Sequence, residues 1–297
     1  MTACKPVLAC LAALLSSAVL AQDTPAIELA APATATIVID GQDVLVEIAP
    51  DGASNPIVDP AVAAELGLKG GFVDGIHLVG RTRIKADSSL ERVDFGDGKA
   101  KKRRVFWFDR PYGTVAQGRV SPYALPHSVI TYRLRGTVAG EHEIVLPLFS
   151  HNRGGLYTKL LVGDDYVPTY FTFDRAETMV TAAAGALLSE KFAGRMAGEA
   201  RPMTLELAVE RPVRAMVFAQ PVMLGALPLA NLVVRTQDTG STADIPDDER
   251  DPNEIVVTAG KGKPMHRLFV GPDSLAACST LTFDKQAEEI RLSCLPA

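Results

Sequence analysis

Several kinds of chemistry have no footing in this sequence. Its five histidines, His77, His127, His142, His151 and His266, fall in no metal-ligand spacing such as His-Glu-x-x-His. No Gly-x-Ser-x-Gly is present, so the usual serine nucleophile elbow is missing. Acidic residues outnumber basic ones, 35 to 30, which removes any basis for general nucleic-acid affinity. No metal, no cofactor and no nucleic-acid partner is therefore expected. Past the N-terminus, no apolar run is long enough to span a membrane.

Cysteine is scarce as well, at four in 297 residues. Cys4 and Cys10 lie in "MTACKPVLACLAALLSSAVLAQD", which has the form of a secretory signal peptide over residues 1–21. Lys5 starts it, an apolar stretch follows, and Val19 and Ala21 fit the positions before a cleavage site. An exported protein, secreted or periplasmic, with no membrane span after signal removal, is the expectation. Cys278 and Cys294 then remain, flanking two short β-runs around a turn near Gln286. That register opposes Thr280 to Leu292, Thr282 to Ile290 and Cys278 to Cys294, which predicts a disulfide. An oxidising compartment permits it.

What is present is mostly β-pattern. A flexible Ala-, Pro- and Thr-rich arm is expected over 22–35. "TIVIDGQDVLVEIA" (36–49) and "YTKLLVGDDYVPTYFTF" (157–173) each read as two strands around a tight polar turn. Each is followed by an apolar pair and a short helix. The first helix, within 59–68, has Asp59 as N-cap, Pro60 at its first position and Gly67 as its stop; the second, within 181–194, ends at Gly194. This order of hairpin, loop, apolar pair and helix occurs twice, which points to an internal duplication. The lobes are expected at 36–135 and 156–297, joined by a connection over 136–155. Residues 237–254, acidic and rich in Pro, Gly and Ser, read as a flexible loop. "KAKKRR" (99–104) reads as a solvated hairpin tip, ahead of phosphate or acidic-partner binding, and "EHE" (141–143) as a solvated turn, ahead of a metal role.

The two repeat junctions resemble the active-site loops of the two-lobed, pepsin-like and retropepsin-like aspartic proteases. That family carries Asp-Thr-Gly in each lobe at the end of a strand. In "IAPDGASNPIV" (48–58), aligning on Gly52, Ala53, Ser54 and Asn55 places Pro50 at the catalytic aspartate and Asp51 at the threonine. In "FTFDRAETMVT" (171–181), Asp174 takes the catalytic position, Arg175 the threonine, Ala176 the glycine and Thr178 the serine. The apolar pairs Ile57-Val58 and Met179-Val180 fall at the two spacings the family shows. "QGRVSPYALP" (117–126) and "LFVGPDSLAACSTLTFDKQAEEIRL" (268–292) resemble the segments that close each lobe. The literal Asp-Thr-Gly at Asp238 lies in the acidic loop and has no repeat partner, so it reads as coincidence.

The resemblance implies a mostly β, two-lobed, pepsin-like acid-protease β-barrel architecture with one short helix per lobe. It also implies a mechanism that needs two carboxylates sharing one proton around a water. Asp174 supplies one. Pro50 has no carboxylate, and a one-residue slip is needed to bring Asp51 inward. Asp51 and Arg175, at the two threonine positions, are expected to pair with each other, and losing one partner would cost about 3–5 kcal/mol. A catalytically degenerate hydrolase relative, a pseudoenzyme holding a polypeptide or cell-envelope protein in its inter-lobe cleft, is the first expectation. An active aspartic endopeptidase with an irregular Asp51/Asp174 dyad is the second, and a non-catalytic β-rich envelope scaffold the third. As an isolated stretch "PDGAS" is ordinary turn chemistry, and in "DRAET" either Asp174 or Thr178 is a candidate helix cap.

Overall fold

Ile37, Ile39, Val44 and Val46 are buried and alternate along two runs joined by Asp40-Gly41. Both turn residues have positive φ, 46° and 84°, as a two-residue hairpin turn demands. This hairpin is the first in the computed structural model, which describes residues 26–71, 73, 75–79, 82–112, 115–151, 155–229, 231–236 and 265–296. The expected signal peptide, Asp238 and the expected loop at 237–254 lie outside the described residues.

The first half runs through β1 (Ala26–Ala30), β2 (Thr34–Ile39), β3 (Gln42–Ile48), β4 (Ile57–Val58), α1 (Pro60–Glu65), β5 (Gly75–Val79), β6 (Thr82–Asp94), β7 (Lys101–Trp107), β8 (Gly118–Val120) and β9 (Val129–Arg133). Next come β10 (His142–Pro147) and β11 (Phe149–Ser150). The second half continues with β12 (Leu156–Val162), β13 (Asp165–Phe171), β14 (Met179–Val180), α2 (Ala182–Phe192), β15 (Gly194–Thr204), β16 (Glu210–Phe218), β17 (Met223–Leu224), β18 (Leu227–Pro228) and β19 (Val233–Arg235). It closes with β20 (Leu268–Val270), α3 (Pro272–Leu275), β21 (Cys278–Asp284) and β22 (Glu289–Cys294). The protein is mostly β and contains a closed six-stranded barrel. No helix among the described residues is long and apolar enough to cross a membrane.

The duplication is visible in strand pairing. In the first half β3 runs parallel to β8, β8 antiparallel to β4, and β4 parallel to β7. In the second half β13, β20, β14 and β19 repeat the same directions in the same order. The registers then match residues of the two halves. Ile57 pairs with Arg119 as Met179 pairs with Phe269, and Glu47 pairs with Arg119 as Tyr170 pairs with Phe269. Counting forward from Glu47 and Tyr170 brings Asp51 level with Asp174. Pro50 is level with Phe173, so the alignment that put Pro50 opposite Asp174 is one residue out. Gly52 is the reason that alignment looked right, but its role is steric. A Cβ there would lie 2.9 Å from the Ser121 nitrogen and the Val120 carbonyl carbon.

A third layer joins the halves. β1, β9, β21, β22 and β10 form one five-stranded sheet, in that order. The expected arm at 22–35 is corrected over its described residues, 26–35: β1 pairs in parallel with β9, and β2 pairs antiparallel with β3. The expected connection at 136–155 is likewise not a linker, since β10 pairs with β22 over six residues. Among the described residues the second half holds two α-helices, α2 and α3, where one was expected. α1 and α2 lie where the periodicity places them. Asp59 precedes α1 but makes no side-chain cap, its carboxylate accepting instead from the Tyr112 amide at 3.2 Å. Thr181 caps α2, and the left-handed residue that ends it is Ala193, one before Gly194.

Cys278 and Cys294 are bonded. The predicted register holds at that pair and shifts by one beyond it, so that Leu281 faces Leu292 and Phe283 faces Ile290. A β-bulge at Ser279 absorbs the extra residue. The bulged hydroxyl donates to Glu141 at 2.5 Å, Ser293 donates to the same oxygen at 2.8 Å, and Arg135 donates to the other at 2.7 Å. Glu141 is thus no solvated turn residue. The Ser279 hydrogen bond first, then those from Ser293, the Val138 amide and Arg135, pull its carboxyl down to about 2. The basic run lies at the turn end of the β6–β7 hairpin and is exposed from Lys99 to Arg103, with Lys101 to Arg104 on β7, and the turn before them is built by Asp94, whose carboxylate accepts from three amides.

Candidate functional site

Each half ends its hairpin in a loop that meets a closing strand at backbone contact. Ser121 donates its amide to Ala53 in the first half at 2.7 Å, and Asp273 donates to Ala176 in the second at 3.0 Å. Gly52 permits the approach in one half. Gly271 permits it in the other, where a Cβ would sit 2.8 Å from the Glu177 carbonyl carbon. Thr178 fastens the second loop. Its hydroxyl donates to Asp273 at 2.7 Å and accepts from the Gly271 amide at 3.1 Å. Neither Asp174 nor Thr178 caps α2.

The two loops bring Asp51 and Asp174 onto one group. Arg119, in the middle of β8, donates from one terminal nitrogen to Asp51 and from the other to Asp174. The three side chains are 3%, 5% and 17% exposed for Arg119, Asp51 and Asp174, although Asp174 as a whole residue is exposed. Arg119 is level with Phe269 in the second half, so a cation stands where the duplicate carries an apolar ring. Its guanidinium also lies 5.4 Å from the Tyr112 ring centre.

This geometry sets the charge states. Burial alone would pull the Arg119 guanidinium down, but Asp51 and Asp174 more than offset it and hold it well above its ordinary value. Burial raises the Asp174 carboxyl, the Asp51 charge raises it further, and Arg119 opposes both. Glu47, the register partner of Arg119, is 3% exposed, and its Oε2 has no hydrogen-bond partner. Burial pushes its carboxyl up to about 7, against the pull of Arg119.

The expected pairing of Asp51 with Arg175 is corrected. Arg175 donates to Glu206 at 2.6 Å and stacks 4.8 Å from the Phe269 ring centre. Glu206 resists burial: Arg175 draws its carboxyl down to about 2. It sits on a tight turn, Glu206–Ala208, where Leu207 and Ala208 are left-handed. The sequence reads there as a continuous strand, "MTLELAVE", and the turn breaks it. Pro50 is buried, Ser54 lies on the first loop and Ala176 on the second.

Beside Asp51 and Gly52, a cavity of about 700 Å³ is lined by His77, Tyr112, Tyr170, Phe269 and Arg267. Both halves contribute to it. Over it, the β5–β6 hairpin leans on the second half: Val79, Ile84 and Ala86 pack with Met203, Leu205, Leu207 and Val209, and Arg211 donates to the Val79 carbonyl at 2.8 Å.

Arg119 and Glu47 went unread in the sequence. Their signal is comparative: "GRV" (118–120) against "LFV" (268–270), and Glu47 against Tyr170, show charge in one copy where the other is apolar. Compared with known proteins, this chain matches no protein-family model and no curated protein.

Proposed function

We propose that this protein is a catalytically degenerate relative of the two-lobed aspartic proteases, which holds a polypeptide in the inter-lobe cleft without cleaving it. The observation that carries this reading is the Arg119 guanidinium held between Asp51 and Asp174. Acid–base hydrolysis by a carboxylate pair needs a shared proton and a water between the two groups. Here each carboxylate already has a buried cation as partner, and the position between them is filled by side chain. The cleft wall beside them offers rings and one arginine, His77, Tyr112, Tyr170, Phe269 and Arg267, a surface suited to an extended chain with apolar side groups.

The test is direct. Full-length exported protein, incubated with unfolded casein at acid and neutral pH, should leave the chain intact while retaining it in a pull-down. Cleavage at acid pH that a statine-type inhibitor abolishes would overturn the reading. It would establish instead the second reading, an active endopeptidase using Asp51 and Asp174, which draws on their matched positions in the two halves.

A further inference from the structure

A second cavity, of about 360 Å³, borders the Asp–Arg–Asp centre at Asp174 and reaches the five-stranded sheet at Cys278. The two cavities have no lining residue in common: Asp51 borders the cleft, whereas Asp174 and Glu47 border this one. Phe173, Leu134, Leu275 and Pro32 supply an apolar wall. Three observations give the cavity a chemical preference. Glu47 is buried and lines the cavity, and its Oε2, itself shielded from the cavity, has no hydrogen-bond partner among the described residues, so a cation against the carboxyl would offset the cost of ionising it. Asp51 and Asp174 share one guanidinium, so that trio carries one net negative charge before Glu47 ionises. The other nearby cations are already matched, Arg175 by Glu206 and Arg135, which also lines the cavity, by Glu141.

We propose that this cavity binds a small apolar cation, an ammonium on an alkyl or aryl group, with Glu47 and Asp174 receiving the charged end and Phe173, Leu134 and Leu275 covering the rest. Size is compatible, since an engineered cavity of roughly 150 Å³ already admits benzene. Around Glu47 the charged groups are Arg119, Asp51 and Asp174, with the Arg135–Glu141 pair at the cavity edge. The carboxyl of Glu47 sits near 7, so at neutral pH a bound cation should drive off its proton.

Calorimetric titration with benzylamine, benzyl alcohol and benzoate tests the proposal. Benzylamine should bind saturably and about tenfold or more tighter than benzyl alcohol, the increment of one charge-assisted hydrogen bond. Benzoate should not bind, and benzylamine titrations in buffers of different ionisation heat should show proton release. Glu47→Gln, isosteric with the protonated acid, should erase the preference for amine over alcohol. Ala276→Trp, at the exposed rim, should block both ligands while leaving the melting temperature near that of the parent. Equal binding of amine and alcohol, no saturable heat with the parent protein, or an amine preference untouched in Glu47→Gln would each overturn it.

Discussion

Glu47 and Arg119 are register partners on adjacent parallel strands, yet the guanidinium turns to Asp51 and Asp174 and leaves the Glu47 Oε2 unpartnered. Three carboxylates thus surround one cation, and the properties of the centre follow from that imbalance.

Arg119→Met should be the most damaging single change at the centre. It removes the hydrogen-bonded cation that Asp51 and Asp174 share, a loss of about 3–5 kcal/mol at neutral pH. The deficit should shrink in acid. Burial and the Asp51 charge already raise the Asp174 carboxyl on folding, and a group raised in this way contributes stability below its unfolded pKa and loses it as pH rises. Urea unfolding of parent and variant at neutral and acid pH measures both the loss and its recovery.

Glu47 follows the same sign. Its carboxyl rises from 4.5 to about 7 on folding, so its contribution is complete below 4.5 and fades as pH climbs through 7. Glu47→Gln should match the parent in acid and exceed it above neutrality by on the order of 3 kcal/mol. Denaturation midpoints across that window check it; parallel curves would contradict the assignment.

Arg175→Met should strand Glu206, a carboxylate buried behind a strained turn. A loss of about 3–5 kcal/mol is expected, with the double variant Arg175→Met, Glu206→Gln recovering much of it. A double-mutant cycle by thermal unfolding reads the coupling.

Thr178→Val should cost about 1–3 kcal/mol, because Asp273 and the Gly271 amide lose a buried partner. Hydrogen exchange should rise at the Gly271 amide, while strands remote from the second loop keep their protection.

Reduction of the Cys278–Cys294 bond, which closes a loop of sequence separation 16, should lower stability by about 3 kcal/mol. Unfolding with and without reductant measures it, and a thiol assay on unfolded, unreduced protein should find neither cysteine free.

Much of the architecture was legible in the sequence, because hairpins announce themselves through alternation and turn residues. Asp40-Gly41 and the runs around it are local signals. So are the two helices after Ile57-Val58 and Met179-Val180. What stayed hidden was set by non-local geometry. The one-residue offset between Pro50 and Asp51 is settled only by strand register against β8 and β20. Arg119 sits inside a strand whose neighbours are apolar or glycine, and nothing in "QGRVSPYALP" says that two loops far along the chain converge on it. Glu141 gains its importance from the bulge at Ser279, a feature with no local lettering. The cysteine pairing survived because it spans that bulge.

The five-stranded sheet has a consequence for how the chain is made. β9, completed before the midpoint, is flanked by β1 and by β21, and β10 by β22 alone. During synthesis both strands must wait with open edges until Cys278–Cys294 has been made. The five-stranded sheet is therefore complete only once the β21–β22 hairpin is in place, and a chain truncated before Cys278 should aggregate through those edges instead of lingering as a half-built sheet.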